Sequence, residues 1–144
     1  MFLTFKYRVK DASSGKHLAR HAIAVNQVWN YCCQIQREAQ DRWKAGRIAR
    51  WPSHFDLVRL TTGCGTALGI HSDTVGRVCA QFVISRDGSR KCPKFRASFG
   101  PKRALGFVPY IPRAARLEGA CLTYLKRRYH FWRSRETEGQ IKGG

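Results

Sequence analysis

Carboxylates are what this 144-residue sequence has least of: 9 Asp and Glu stand against 27 Lys and Arg, a net charge of +18. The few acids form no spaced set on apolar strands, the arrangement a two-metal nuclease needs to hold its ions. Also missing are a Gly-x-Ser-x-Gly elbow, a Gly-Lys-Ser or Gly-Lys-Thr phosphate loop and a His-x-Glu deaminase signature. No enzymatic chemistry, metal or other cofactor is therefore expected. The 6 cysteines contain no Cys-x-x-Cys pair: Cys32 and Cys33 are adjacent, and Cys64, Cys79, Cys92 and Cys121 stand alone. That spacing excludes a zinc knuckle, and the thiols read as small buried hydrophobes or free cysteines. His17 and His21, one helical turn apart, lack a third ligand nearby and read as a solvated pair. No apolar run approaches the roughly 20 residues that span a bilayer, and no basic helix has a wholly apolar face, so a membrane partner is not expected. Residues Met1 to Lys10 alternate instead of placing a charged start before an apolar block. No secretory leader is read there, and the expected location is cytoplasmic.

What is abundant is positive charge, most of it arginine, with a pI near 10.5. Such an excess marks a chain that meets a polyanion. Arginine's planar fork suits phosphates and base edges better than simple charge balance would require.

In chain order, Phe5, Tyr7 and Val9 alternate with Lys6, Arg8 and Lys10, the period-two pattern of an edge or barrel strand with a cationic outer surface. Asp11 to Gly15 ends the strand. The proline-free stretch from Ser14 to Ala45 then predicts a long helix. Leu18, Ala22, Val25, Trp29, Cys32, Ala39 and Trp43 stack on one side, with Gln36 as the polar break. Ser13 or Ser14 is the expected cap and Gly46 the expected stop. The other faces carry Arg20, His21, Gln27, Asn30, Gln34, Arg37, Gln40, Asp41 and Lys44, which suits either plain solvation or a nucleic-acid surface. Ser53 caps a short helix holding Phe55, Leu57, Val58 and Leu60; a loop with Gly63 and Gly65 follows. Ser72 or Thr74 opens a further helix through Val75, Val78, Cys79, Phe82 and Val83, which Asp87-Gly88 turns off. Two short helices joined by a glycine-bearing loop sketch a helix-turn-helix, although this loop exceeds the usual length.

From Ser89 to Arg135 the composition shifts: many cations, the single acid Glu118, and prolines 93, 101, 109 and 112 that preclude long helices in the first half. Leu105 to Tyr110 and Ala120 to Trp132 read as short strands, with a hairpin turning near Glu118-Gly119. Residues from Gln140 could begin one more. Strand, then helices, then strands makes the class α+β. Lys126-Arg-Arg-Tyr-His-Phe-Trp-Arg-Ser-Arg135 interleaves Lys126, Arg127, Arg128, Arg133 and Arg135 with Tyr129, Phe131 and Trp132, so one element offers phosphate neutralisation and stacking faces. The plainer alternative is a barrel strand with Tyr129 and Phe131 pointing inward and its cations merely solvated.

The opening Phe-Lys-Tyr-Arg-Val-Lys10, the string Ala24-Val-Asn-Gln-Val-Trp-Asn-Tyr-Cys32, the run Leu68-Gly-Ile-His-Ser-Asp-Thr-Val75, Leu105 to Tyr110 and Arg128 to Arg135 together resemble the N-terminal part of TnpB. These are transposon-encoded RNA-guided nucleases related to type V CRISPR effectors. The resemblance implies a wedge domain, a split oligonucleotide-binding-like β-barrel, interrupted by an inserted helical recognition bundle. Residues 1–11 and 88–144 would form the barrel, incompletely, and 12–87 the bundle. It further implies that the barrel grips a guide RNA scaffold and that the helix from Ser72 lies at duplex DNA near a short transposon-adjacent motif. The residues expected at nucleic acid are Lys6, Arg8, Lys10, Ser72, Asp73, Thr74, Arg77, Lys94, Arg96, Lys102, Arg103, Lys126, Arg127, Arg128, Tyr129, Trp132, Arg133 and Arg135. Family members continue into a RuvC-like nuclease domain with three metal-binding carboxylates, which this sequence does not contain. The expectation is thus a binding fragment without cleavage activity, from a truncated gene, a split protein whose partner chain supplies the nuclease, or an isolated module. The alternatives are a non-functional transposase remnant and a general basic RNA-binding protein.

Overall fold

A computed structural model of the chain describes residues 4–106 and 108–135. Strand β1 (Arg8–Val9) leads into helix α1 (Ala12–Lys44), followed by α2 (His54–Leu60), α3 (Cys64–Leu68) and α4 (Ser72–Ser89), and then by β2 (Ala115–Glu118), β3 (Cys121–Tyr124) and β4 (Arg127–Trp132). The class is α+β, as the sequence indicates. None of the described helices is long and apolar enough to cross a membrane.

Helix α1 begins two residues earlier than expected because Asp11 caps it: its carboxylate accepts from the Ser14 N–H at 2.8 Å. Ser13 and Ser14 lie inside the first turn, and Ser14 is buried. That backbone bond holds the Asp11 carboxyl below the usual carboxylate range. Ala22, Val25, Trp29, Cys32 and Ala39 are buried as a stripe. Gln36 does not interrupt it, since the side chain is buried with Oε1 accepting from Arg86 Nη1 at 2.9 Å. Trp43 corrects the stripe at its end, being 63% exposed. With 33 residues in α1 against 18 in α4, its last turns outrun the helix it packs on.

Ser53 and Asp56 form a reciprocal capping box on α2, and Leu57 enters the core. The supposed loop after it is helix α3, bracketed by Gly63 (φ 85) and Gly69 (φ 71). A Cβ on Gly65 would lie 2.8 Å from the Ile70 carbonyl oxygen, so this tight return needs glycine. The helix-turn-helix sketch is thereby replaced by three helices. Helix α4 is capped by His71, whose Nδ1 accepts from the Asp73 N–H at 3.0 Å, and not by Ser72 or Thr74. It continues through Asp87-Gly88 to Ser89, where Arg90 adopts φ 53 and ends it. Val75, Val78, Cys79 and Phe82 pack on Val25, Val28, Trp29 and Cys32, with the Trp29 and Phe82 rings edge to face at 5.4 Å.

The sheet is antiparallel and four-stranded in the order β1-β4-β3-β2. Its two outer strands do not meet, so the expected barrel is an open sheet among the described residues. Leu105, Gly106 and Val108 to Tyr110 form no strand; this proline-bearing segment lies as coil against both cores, which Val108 joins. The expected strand from Gln140 lies outside the described residues. Gly119 (φ 60) leads the predicted β2–β3 turn. The β3–β4 turn places Leu125 (φ 51) and Lys126 (φ 64) in the left-handed region, the pattern of a type I′ turn without its usual Asn-Gly. The inner face brings Ala115, Leu122, Tyr124 and Tyr129 onto Leu18 of α1. Tyr124 is the bolt between sheet and bundle: its hydroxyl receives the His71 N–H at 2.9 Å and meets Thr74 Oγ1 at 2.6 Å.

Candidate nucleic-acid interface

Strict alternation along β4 sends Tyr129 and Phe131 inward and leaves Arg128, His130 and Trp132 exposed. Register adds the neighbours: Trp132 is opposite Arg8, and Arg128 is opposite Thr123, which in turn is opposite Arg116. Lys10 completes the set, with Nζ 4.5 Å from the Trp132 ring centroid. Glu118 is the acid on this surface, and Arg116 holds it at 3.4 Å. The result is an open, cationic sheet face with a 62% exposed indole in it. A surface cation–π contact is worth about 0.5–1 kcal/mol, whereas stacking a base on an aromatic is worth about 1–3 kcal/mol. The Lys10 contact is thus weak enough for a stronger stacking partner to displace it from the ring. Lys6 is exposed just before β1. His130 and Arg116 escaped the sequence reading, although the period of two through Arg128 and Trp132 already picks out His130.

Two residues of the basic run belong elsewhere. Tyr129 is 2% exposed, and its hydroxyl meets His17 Nδ1 at 3.2 Å, so it cannot serve as a stacking platform; inward alternation has claimed it for the core. Burial raises its pKa above the usual phenol value. Arg127 also turns inward and is half-buried, with Nη2 donating to Ser13 Oγ at 3.2 Å. It ties the start of α1 to the sheet. Arg133 reaches back to the β2–β3 turn, where Nη1 donates to the Gly119 carbonyl at 3.3 Å. The Arg135 carbonyl accepts from Tyr7, and its side chain is exposed, as is Lys126 on the turn.

The start of α4 is largely occupied. Thr74 is fully buried on the Tyr124 hydroxyl and cannot reach a base, a correction to the sequence reading. Asp73 receives both Nε and Nη2 of Arg113, the pairing that holds its carboxyl below the usual range. A carboxylate so engaged is a poor base reader. Ser72 and Arg77 remain exposed. Lys94, Arg96, Lys102 and Arg103 lie on the coil after α4. Arg96 is half-buried with its guanidinium 3.6 Å from the Trp29 ring centroid, a structural stack, whereas the other three are exposed. The candidate residues thus divide into a sheet-face group, a pair on α4 and a coil group.

Most of the described acids have a partner within the chain. Asp11 and Asp56 cap helices, Asp73 and Asp87 pair with Arg113 and Arg86, and Glu118 pairs with Arg116. Among the described residues, no group of three His, Cys, Asp or Glu could hold a metal ion. The chain matches no family model, no curated protein and no solved structure.

Proposed function

We propose that the chain is a nucleic-acid-binding module of the TnpB type, which holds a structured RNA on the outer face of its sheet and meets duplex DNA beside α4. The observation that carries this reading is the sheet face itself, where Arg8 and Lys10 flank the exposed Trp132 and Arg128 and Arg116 lie further along the same face. Phosphate neutralisation and base stacking are both available there without any rearrangement of the core. The order of strand, helical bundle and sheet agrees with a wedge divided by a recognition domain. The commitment of the acids to caps and ion pairs favours binding without cleavage. Purified protein given magnesium and a guide RNA should accordingly leave target DNA intact; cleavage that persists through repurification would contradict this.

Crosslinking to 4-thiouridine-labelled structured RNA, with the modified peptides mapped, tests the site. Crosslinks should fall on residues 8–10 and 128–132. Their confinement to α2 and α3 would overturn the assignment. The duplex arm rests on Ser72 and Arg77 alone: Arg77→Ala should leave the melting temperature nearly unchanged and weaken one short duplex motif more than scrambled duplex. A general RNA-binding protein is the second reading. It is favoured by the occupation of the α4 start by Tyr124 and Arg113.

A further inference from the structure

The coil between α4 and β2 carries two exposed phenylalanines that neither core uses, Phe95 (46%) and Phe99 (74%). Exposed aromatics on a floppy loop would collapse onto the nearest apolar surface, but here α1 holds the backbone beneath them. Trp29 Nε1 donates to the Lys94 carbonyl at 2.9 Å. Asn30 grips Arg96 twice, accepting its N–H at 2.7 Å and donating to its carbonyl at 2.9 Å. Asn26 Nδ2 reaches Ser98 Oγ at 3.2 Å and the Ala104 carbonyl at 3.1 Å. Trp29 and Asn30 follow Asn26 by three and four residues, so one side of α1 anchors the whole excursion. Within it, Ala104 N–H bonds the Ala97 carbonyl at 2.8 Å and Arg103 N–H the Gly100 carbonyl at 3.1 Å, which closes the tip carrying Phe99. Lys91, Lys94, Lys102 and Arg103 stand exposed along the same segment, and the Arg37 guanidinium lies 4.0 Å from the Phe95 ring centroid. Residues 88–117 contain no acid.

We infer that this anchored loop is a second base-stacking site, taking unpaired nucleotides of single-stranded RNA on Phe99 and Phe95 with the surrounding cations on the phosphates. The inference deepens the proposed function by naming the class of RNA this part of the chain takes. Charge complementarity selects a polyanion, and two aromatics without sequence-reading polar partners select the faces of bases over their edges. A paired helix keeps those faces stacked internally, so the site discriminates unpaired from paired RNA. Prepaid ordering of the backbone by Asn26, Trp29 and Asn30 removes much of the entropy that binding would otherwise cost.

The test uses the full chain with a single-stranded oligoribonucleotide carrying 2-aminopurine, and a fully paired RNA duplex as comparison. Phe99→Ala should weaken the single strand by roughly five- to a hundredfold, quench its reporter less, and leave the duplex unaffected; Phe99→Trp should restore binding. Phe95→Ala should act in the same direction, and the melting temperature should stay put because both rings are exposed. Binding of the single strand equal to wild type in both alanine variants, with Trp132→Ala weakened, would overturn the second site alone. An equal loss on duplex, or full rescue by Phe99→Leu, would overturn stacking. Absence of RNA binding by the wild-type chain would overturn this inference together with the function it rests on.

Discussion

Tyr129 and Trp132 stand three residues apart on β4; the first is 2% exposed with its hydroxyl on His17, and the second is 62% exposed with Lys10 over its ring. Arg127 and Arg128 are adjacent, yet one reaches in to Ser13 and the other stands on the open face. Aromatic and arginine thus serve both the core and the surface of one strand. Residue type sets what a side chain can do, and the pleat decides where it does it. The inner set welds the sheet to α1, so it governs stability. The outer set touches little of the protein, so it is available to a ligand.

The widest separation between the two faces should come from truncating the aromatics. Tyr129→Ala should cost about 3–5 kcal/mol, as expected for a large aromatic leaving a core, whereas Trp132→Ala should stay within about 1 kcal/mol, the worth of its contact with Lys10. Urea unfolding of both variants measures this, and equal losses would erase the distinction. Tyr124→Phe is subtler, since it removes only the hydroxyl shared by His71 and Thr74. Two groups then lose their partner, and the expected loss is about 1–3 kcal/mol.

The inner face should also respond to acid. Burial lowers the pKa of His21, aided by the neighbouring His17 and Arg127; burial also lowers that of His17, with Arg127 and Arg20 adding to it. Both rings face phenols, His17 against Tyr129 and His21 edge-on to Tyr124 at 5.5 Å. The folded chain therefore binds these protons less readily than the unfolded chain. Stability is fully present above the ordinary histidine value of 6.5 and falls as the pH drops through it toward the lower folded values. Thermal melts between pH 7.5 and 5 should show that decline, and His21→Phe, which keeps a ring against Tyr124, should flatten it. A slope unchanged in His21→Phe would remove His21 from the cause. The smallest effect belongs to the β3–β4 turn, where Lys126→Gly relieves a left-handed lysine and should stabilise by about 1 kcal/mol. A loss of stability there would mean that the lysine side chain makes a compensating contact.

Much of this arrangement was legible from periodicity. The apolar stripe of α1, the Ser53 cap, the Glu118-Gly119 hairpin and the β4 strand follow from spacing and turn chemistry alone. What eluded spacing were choices between chemically equivalent partners. Asp11 competes with Ser13 and Ser14 for one cap and His71 with Ser72 and Thr74 for another, and the backbone angle just outside the helix settles each case. Asn30 and His21 looked like surface because they are polar, but the first clamps Arg96 and the second lies against Tyr124, partners distant in sequence. The site was half legible for the same reason. The basic run falls on a regular strand, β4, as its alternation indicates, while sorting the inward Arg127 and Tyr129 from the exposed Arg128 and Trp132 requires knowing which face meets α1. Thr74 was lost as a base reader to a tyrosine 50 residues away.

The salt dependence of RNA binding tests the outer-face assignment most directly. Replacing Arg8, Lys10 and Arg128 together by alanine should reduce the slope of log affinity against log salt by about 2 to 3 for a structured RNA, since each phosphate contact releases about 0.7 to 0.9 of a counterion. The same measurement on Lys16→Ala, Arg20→Ala and Arg42→Ala combined, three exposed cations of α1 outside both proposed sites, should change the slope less. A slope in the sheet-face variant equal to that of the wild-type chain, with folding intact by thermal melting, would contradict the assignment of the RNA to this face.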